Sequence, residues 1–118
     1  MLTVYGLKNC DTCRKATKWL DAQGIAHEFR DLRAMPPTSG QWSSWLAELG
    51  QEALVNRRGT TWRGLPETER EGLDEAGAAA LLAAHPALMK RPLFDLGDRR
   101  LLGFAKAQQD ELTALAGT

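Results

Sequence analysis

The first apolar run, Leu-Thr-Val-Tyr-Gly at residues 2–6, has the β-branched and aromatic content of a short strand, and Gly6 ends it. The period then lengthens. Ala16, Trp19, Leu20 and Gln23 fall near one face at i, i+3, i+4 and i+7, which predicts a helix from about Asp11 or Thr12 to Gln23. Gly24 stands where a left-handed C′ residue is wanted. Alternation resumes in Ala-His-Glu-Phe-Arg-Asp-Leu-Arg, residues 26–33, a second strand that one connecting helix of ordinary length leaves parallel to the first. The opening of the chain reads as a βαβ unit.

From about Thr38 to His85 the pattern is helical and interrupted. Trp42, Trp45, Leu46 and Leu49 form an apolar stripe that Gly50 terminates, and Gln51–Asn56 reads as a further helical turn or two. The Gly-punctuated polar stretch from Asn56 to Gly64 reads as loop. Asp74 is placed to cap the Ala- and Leu-rich helix that Pro86 stops. Beyond it, Arg-Pro-Leu-Phe-Asp-Leu and Arg-Arg-Leu-Leu-Gly-Phe are two short apolar runs separated by Gly97 and Asp98, the signature of a β-hairpin. Residues 106–116, with Leu112 and Leu115 inward, should close the fold as a helix. The order β-α-β, helical insert, β-β-α predicts an α/β, thioredoxin-like fold, a mixed sheet covered by helices.

Composition narrows the function. At 118 residues the chain suits one domain, residues 1–118 with a helical insert at about 38–85. Fifteen basic and fifteen acidic side chains cancel, so no net field holds it on nucleic acid or an anionic membrane, and any anion site must be local. The N-terminus has no secretory pattern and the most apolar stretch is too short to span a bilayer, so the expected location is cytoplasmic. Two cysteines are too few for a secreted disulfide scaffold, which shifts weight to reactive thiols.

Those cysteines, Cys10 and Cys13, lie three apart between the first strand and the first helix. A thiolate there meets unpartnered helix N–H groups and the positive end of the macrodipole. Such positions lower a cysteine from about 8.5 to roughly 3.5–7.5. Arg14 and Lys15 add positive charge nearby, and Cys13, one turn on, can resolve a disulfide at Cys10. A zinc site needs four ligands, yet only His27 and His85 are left to join the pair, without clustered spacing. No metal is expected, and both histidines read as structural. Two inert, buried cysteines are the bland alternative, but a C-x-x-C opening the first helix of a βαβ unit is a redox signal. Trp19, Trp42 and Trp45 stand at helical core spacing, whereas Trp62 either plugs the insert or walls a cleft.

Tyr-Gly-Leu-Lys-Asn-Cys-Asp-Thr-Cys-Arg-Lys-Ala-Thr-Lys-Trp-Leu-Asp-Ala-Gln-Gly-Ile, then Glu-Leu-Gly-Gln-Glu-Ala-Leu-Val-Asn-Arg-Arg-Gly-Thr-Thr-Trp-Arg, then the Pro86–Phe94 and Arg99–Phe104 segments together resemble the arsenate reductase and Spx family, most nearly its YffB-like branch. The resemblance implies that Cys10 is the nucleophile, that the fold is thioredoxin-like with a helical insert, and that the Arg91–Pro92 bond is cis with Pro92 facing the thiol. Glutaredoxin-coupled arsenate reductases carry arginine where this chain has Asn56 and again around Phe104. Arg91 is retained, and Arg58 matches an arginine of Spx and YffB-like chains. Many YffB-like chains lack a second cysteine here, whereas Spx regulators use C-x-x-C as a disulfide switch.

The expected site therefore comprises Cys10, Cys13 and Arg14 as catalytic residues, with Asn9, Asn56, Arg58, Arg91 and Pro92 binding an anionic or disulfide substrate. No cofactor is bound on this reading, and glutathione or glutaredoxin supplies the electrons. The alternative is an Spx-like sensor whose Cys10–Cys13 disulfide controls binding to RNA polymerase or another protein. A third, a chain that merely keeps the fold, predicts an ordinary Cys10 titration.

Overall fold

The computed structural model describes residues 2–116, and the chain divides into two compact units, Met1–Ala34 with Arg91–Thr118, and Met35–Lys90. In the first unit, β1 (Leu2–Gly6), α1 (Asp11–Ala22) and β2 (His27–Asp31) form the predicted βαβ unit, and β3 (Leu93–Asp95), β4 (Arg100–Leu102) and α7 (Lys106–Ala116) complete it. The sheet runs β2-β1-β3-β4, parallel between β1 and β2 and antiparallel elsewhere. Val4 is the central register position, opposite Phe29 on one side and Phe94 on the other. This is the thioredoxin-like arrangement that the element order predicts.

The period-2 and period-3.6 positions meet in one core. Leu2, Val4 and Phe94 of the sheet, Ala16 and Leu20 of α1, and Leu112 of α7 are buried together. Trp19 packs against them edge-on to Phe104, with ring centroids 5.6 Å apart. Helix α1 ends as Gly24 predicts: at φ 70° it lets its own N–H reach Asp21 O at 3.1 Å and the Ile25 N–H reach Leu20 O at 2.9 Å, a Schellman closure. The β3–β4 turn has Gly97 at φ 96° and is closed by the Leu96 N–H on Arg99 O at 2.9 Å. Leu115, expected inward, is 38% exposed. Three residues beyond Leu112 it points about 60° away from that side chain's direction, in the last helical turn.

The second unit is helical: α2 (Ser39–Leu49), α3 (Gln51–Leu54), α4 (Thr60–Arg63), α5 (Glu67–Arg70) and α6 (Glu75–Ala84), followed by a 3₁₀ turn over Pro86–Leu88. Thr38 and Gln41 form a capping box on α2, whose inner face is Trp42, Trp45 and Leu46. Asp74 caps α6 through the Gly77 N–H at 2.7 Å, as its position predicts. Residues 54–56 run antiparallel to 88–90, tied by Asn56 N–H to Leu88 O and Lys90 N–H to Leu54 O. The stretch expected as loop from Asn56 to Gly64 contains α4. Its single turn is closed by the Arg63 N–H on Gly59 O at 3.3 Å and the Gly64 N–H on Thr60 O at 2.9 Å, and the Arg63 guanidinium braces the entry by donating to Arg58 O at 3.0 Å and Gly59 O at 3.5 Å.

Candidate functional site

Cys10 is the N-cap residue of α1, with extended backbone at φ −95° and ψ 121°. Its N–H donates to Leu7 O at 3.2 Å and its C=O accepts the first helical bond from Arg14 N–H at 3.0 Å. The thiol is half-buried and free. It makes no cap hydrogen bond of ordinary length, yet the groups that face it favour its anion. Partial burial alone raises the thiol. The Cys13 backbone N–H, the Cys13 thiol and the Arg91 guanidinium outweigh burial, and the net result is a thiol held below its ordinary 9.0.

Cys13 is built for the opposite state. It is 1% exposed and lies against Gly6, where a Cβ would stand 2.5 Å from its sulfur. Burial pushes this thiol up to about 12, reinforced by the neighbouring Cys10 sulfur and opposed by the Leu7 N–H and the Arg91 charge. Of the pair, Cys10 is thus the thiol that ionises first and Cys13 the one that keeps its proton, and the Cys13 S–H is a donor to the Cys10 sulfur. Beside Cys13 a cavity of about 280 Å³ is lined by Leu7, Lys8, Cys13, Arg14, Thr17, His27 and Phe29. His27 fixes its ring through Nδ1 on the Ile25 carbonyl at 3.0 Å.

Arg91 ends the connection from the second unit and precedes the buried Pro92 through a cis peptide bond, as the resemblance implies. Arg91, rather than Arg14, is the cation at the thiol: the Arg14 guanidinium binds exposed Asp11 at 3.0 Å. Asn9 is exposed in the turn before Cys10. Asn56 and Arg58 belong to the second unit and line a cavity of about 450 Å³ with Glu52, Ala53, Val55, Arg57 and Lys90. Asn56 Oδ1 accepts the Arg58 N–H at 3.1 Å, and the Arg57 guanidinium lies 5.5 Å from the Trp62 ring centroid. Among the described residues no cluster of His, Cys, Asp and Glu could hold a metal ion, and no helix is long and apolar enough to cross a membrane.

Sequence reading missed one contributor to the surroundings of Cys13: Gly6, which the buried sulfur lies against, was legible only as a strand end.

A cysteine capping the first helix, on a β-α-β, β-β-α frame with a helical insert, marks a thioredoxin-like thiol protein. The chain belongs to the ArsC family, whose sequence model matches residues 5–112. The solved YffB protein is 39% identical and superposes with a TM-score of 0.90, over 96% of this chain and 99% of that one. An arsenate reductase (ArsC) related protein from Brucella melitensis is 38% identical with a TM-score of 0.77, over 93% and 92%. The global transcriptional regulator Spx of Streptococcus pyogenes is 28% identical over 116 residues, 97% of this chain and 84% of its own.

Proposed function

We propose that the chain is a thiol oxidoreductase with Cys10 as nucleophile. The observation that carries this reading is the asymmetry of the pair, a Cys10 thiol held below its ordinary value beside a Cys13 thiol pushed up to about 12. Cys10 thiolate attacks one sulfur of a glutathione-linked disulfide. A Cys10–sulfur bond forms, the substrate S–S bond breaks, and the departing thiolate takes a proton from water. Either the thiol of glutathione then loses its proton and attacks the substrate-derived sulfur, so that Cys10 leaves as thiolate and a new glutathione disulfide forms, or the thiol of Cys13 loses its proton and attacks the Cys10 sulfur, so that the substrate sulfur leaves as thiolate and a Cys10–Cys13 disulfide forms for glutathione to reduce. In both cases the two electrons delivered to substrate are balanced by the new disulfide.

Arg91 has a second use on this account, since its guanidinium fork matches the oxygens of an anionic substrate. Asn9 and Pro92 adjoin the two groups that define the thiol's surroundings. An arsenate-like anion would meet the same thiolate by S–As bond formation with loss of hydroxide, and arsenic would be reduced as two thiols become a disulfide. Within the second unit, Asn56 and Arg58 offer amide and guanidinium groups of the kind that binds an anion. Glutathione fits as reductant because it is itself an anionic thiol, and glutaredoxin is the protein alternative.

Turnover of a glutathione mixed disulfide and of arsenate, each with glutathione as reductant, tests the proposal. Activity with either that vanishes in Cys10→Ser supports it. Equal rates with and without the protein reject it.

A second reading rests on the presence of Cys13 and on the likeness to Spx. Oxidation of both thiols would give a Cys10–Cys13 disulfide, with two electrons passing to an oxidant such as a low-molecular-weight disulfide, and would alter a surface that binds a protein partner such as RNA polymerase. Capture of RNA polymerase by the oxidised but not the reduced chain is its test.

A further inference from the structure

The peptide group joining Leu7 to Lys8 is held at both ends. Its N–H, on Lys8, donates to Asp31 Oδ2 at 2.8 Å, and its C=O, on Leu7, accepts the Cys10 N–H at 3.2 Å. The other Asp31 oxygen accepts the N–H groups of Arg33 at 2.8 Å and Ala34 at 3.0 Å. Asp31 is the last residue of β2, and the next N–H, on Leu32, donates to Gly6 O at 2.9 Å. The carboxylate therefore spans 23 residues of sequence to fix one peptide plane, and that plane fixes the amide of Cys10.

We propose that Asp31 is a positioning residue for Cys10, acting through the Leu7–Lys8 peptide. The inference rests on the reading of Cys10 as nucleophile. A carboxylate is the strongest acceptor a side chain can offer, and a peptide whose N–H it binds is polarised so that its own C=O becomes a better acceptor. The same segment carries the Leu7 N–H that faces Cys13. Without the carboxylate, this turn has only the strand ladder and its own short hydrogen bonds to hold it. The Cys13 N–H, the Cys13 thiol and Arg91 can then no longer keep the Cys10 sulfur in one place. Burial by itself raises Asp31, but the N–H groups of Lys8, Ala34 and Arg33 and the Lys8 charge hold it below the usual carboxylate range. It is a carboxylate throughout the range in which Cys10 would work.

The test compares the pH profile of Cys10 alkylation by iodoacetamide in wild type, Asp31→Ala and Asp31→Asn, with folding checked by far-ultraviolet circular dichroism. Asp31→Ala is expected to slow the reaction at neutral pH about threefold to tenfold, the loss of thiolate that a rise of half to one unit brings. Asp31→Asn, which keeps one acceptor oxygen, should fall between. A lower unfolding midpoint with an unchanged alkylation profile would make Asp31 merely structural and overturn the inference. If the alanine variant does not fold, wild type decides: on acidification the Lys8 and Cys10 amide resonances should shift together, with one midpoint below the ordinary carboxylate range, and independent shifts would reject the link. Ordinary titration of wild-type Cys10 would sink the nucleophile reading alone, and the paired resonances would still decide the role of Asp31.

Discussion

The sulfur of Cys13 lies over Gly6 so closely that a Cβ built on the glycine would be 2.5 Å from Sγ and 3.3 Å from both the Cys13 Cβ and Phe29 Cε1. The glycine is required by this approach and not by its backbone angles, since its φ is not positive.

Gly6→Ala should accordingly destabilise the fold by about 1–3 kcal/mol, the cost of overpacking a filled site. The measurement is a double-mutant cycle by urea unfolding. In a Cys13→Ala background most of this cost should disappear, because the atom that the methyl group meets is gone. An equal cost in both backgrounds would show that the Cys13 sulfur is not what forbids a side chain at position 6.

The burial of Cys13 also fixes a pH dependence. In the unfolded chain its thiol ionises near the ordinary 9.0, whereas in the fold it keeps its proton to about 12. Between those values the unfolded state has fewer protons bound, so this group's contribution to stability falls as pH rises through the window. Cys10 has the opposite sign: its lowered value adds stability that is present above the ordinary 9.0 and is lost as pH falls through the folded value. The urea midpoint of wild type should thus decline more steeply than that of Cys13→Ala from about 9 to about 12. Parallel declines would mean that Cys13 titrates alike in both states.

Arg91 supplies the full positive charge facing Cys10. Arg91→Met keeps a long apolar stem and removes that charge, so Cys10 should titrate higher and its alkylation at neutral pH should slow about threefold to tenfold. The two rates should converge in strong alkali, where the thiol is ionised in either protein. A difference that persists there would point to access and not to charge.

The frame of this protein was legible because its elements obey simple periods. Val4 and Phe94 alternate with the sheet, Ala16 and Leu20 repeat with α1, and Gly24 and Asp74 stand at helix ends where their chemistry has one use. Cys10 was legible for the same reason, as a thiol placed at a helix start. Its cation was not. Arg14 is four residues from Cys10 but is bound to Asp11, and Arg91, brought in across the sheet, stood out in the sequence only through the family's proline. Helix α4 was hidden in a glycine-punctuated segment because it is a single turn, too short to show a period, closed by backbone bonds and braced by the Arg63 side chain. Asp31 was hidden because its bonds are to backbone N–H groups, one of them 23 residues away.

The most direct test of Cys10 as an activated nucleophile is the pH dependence of iodoacetamide alkylation of the reduced protein, in wild type, Cys10→Ser and Cys13→Ser. The account predicts a fast phase that persists in Cys13→Ser and is lost only in Cys10→Ser, with a wild-type midpoint well below the roughly 8.5 of a free cysteine. Two thiols that both react slowly, or a midpoint at the ordinary value, would contradict it.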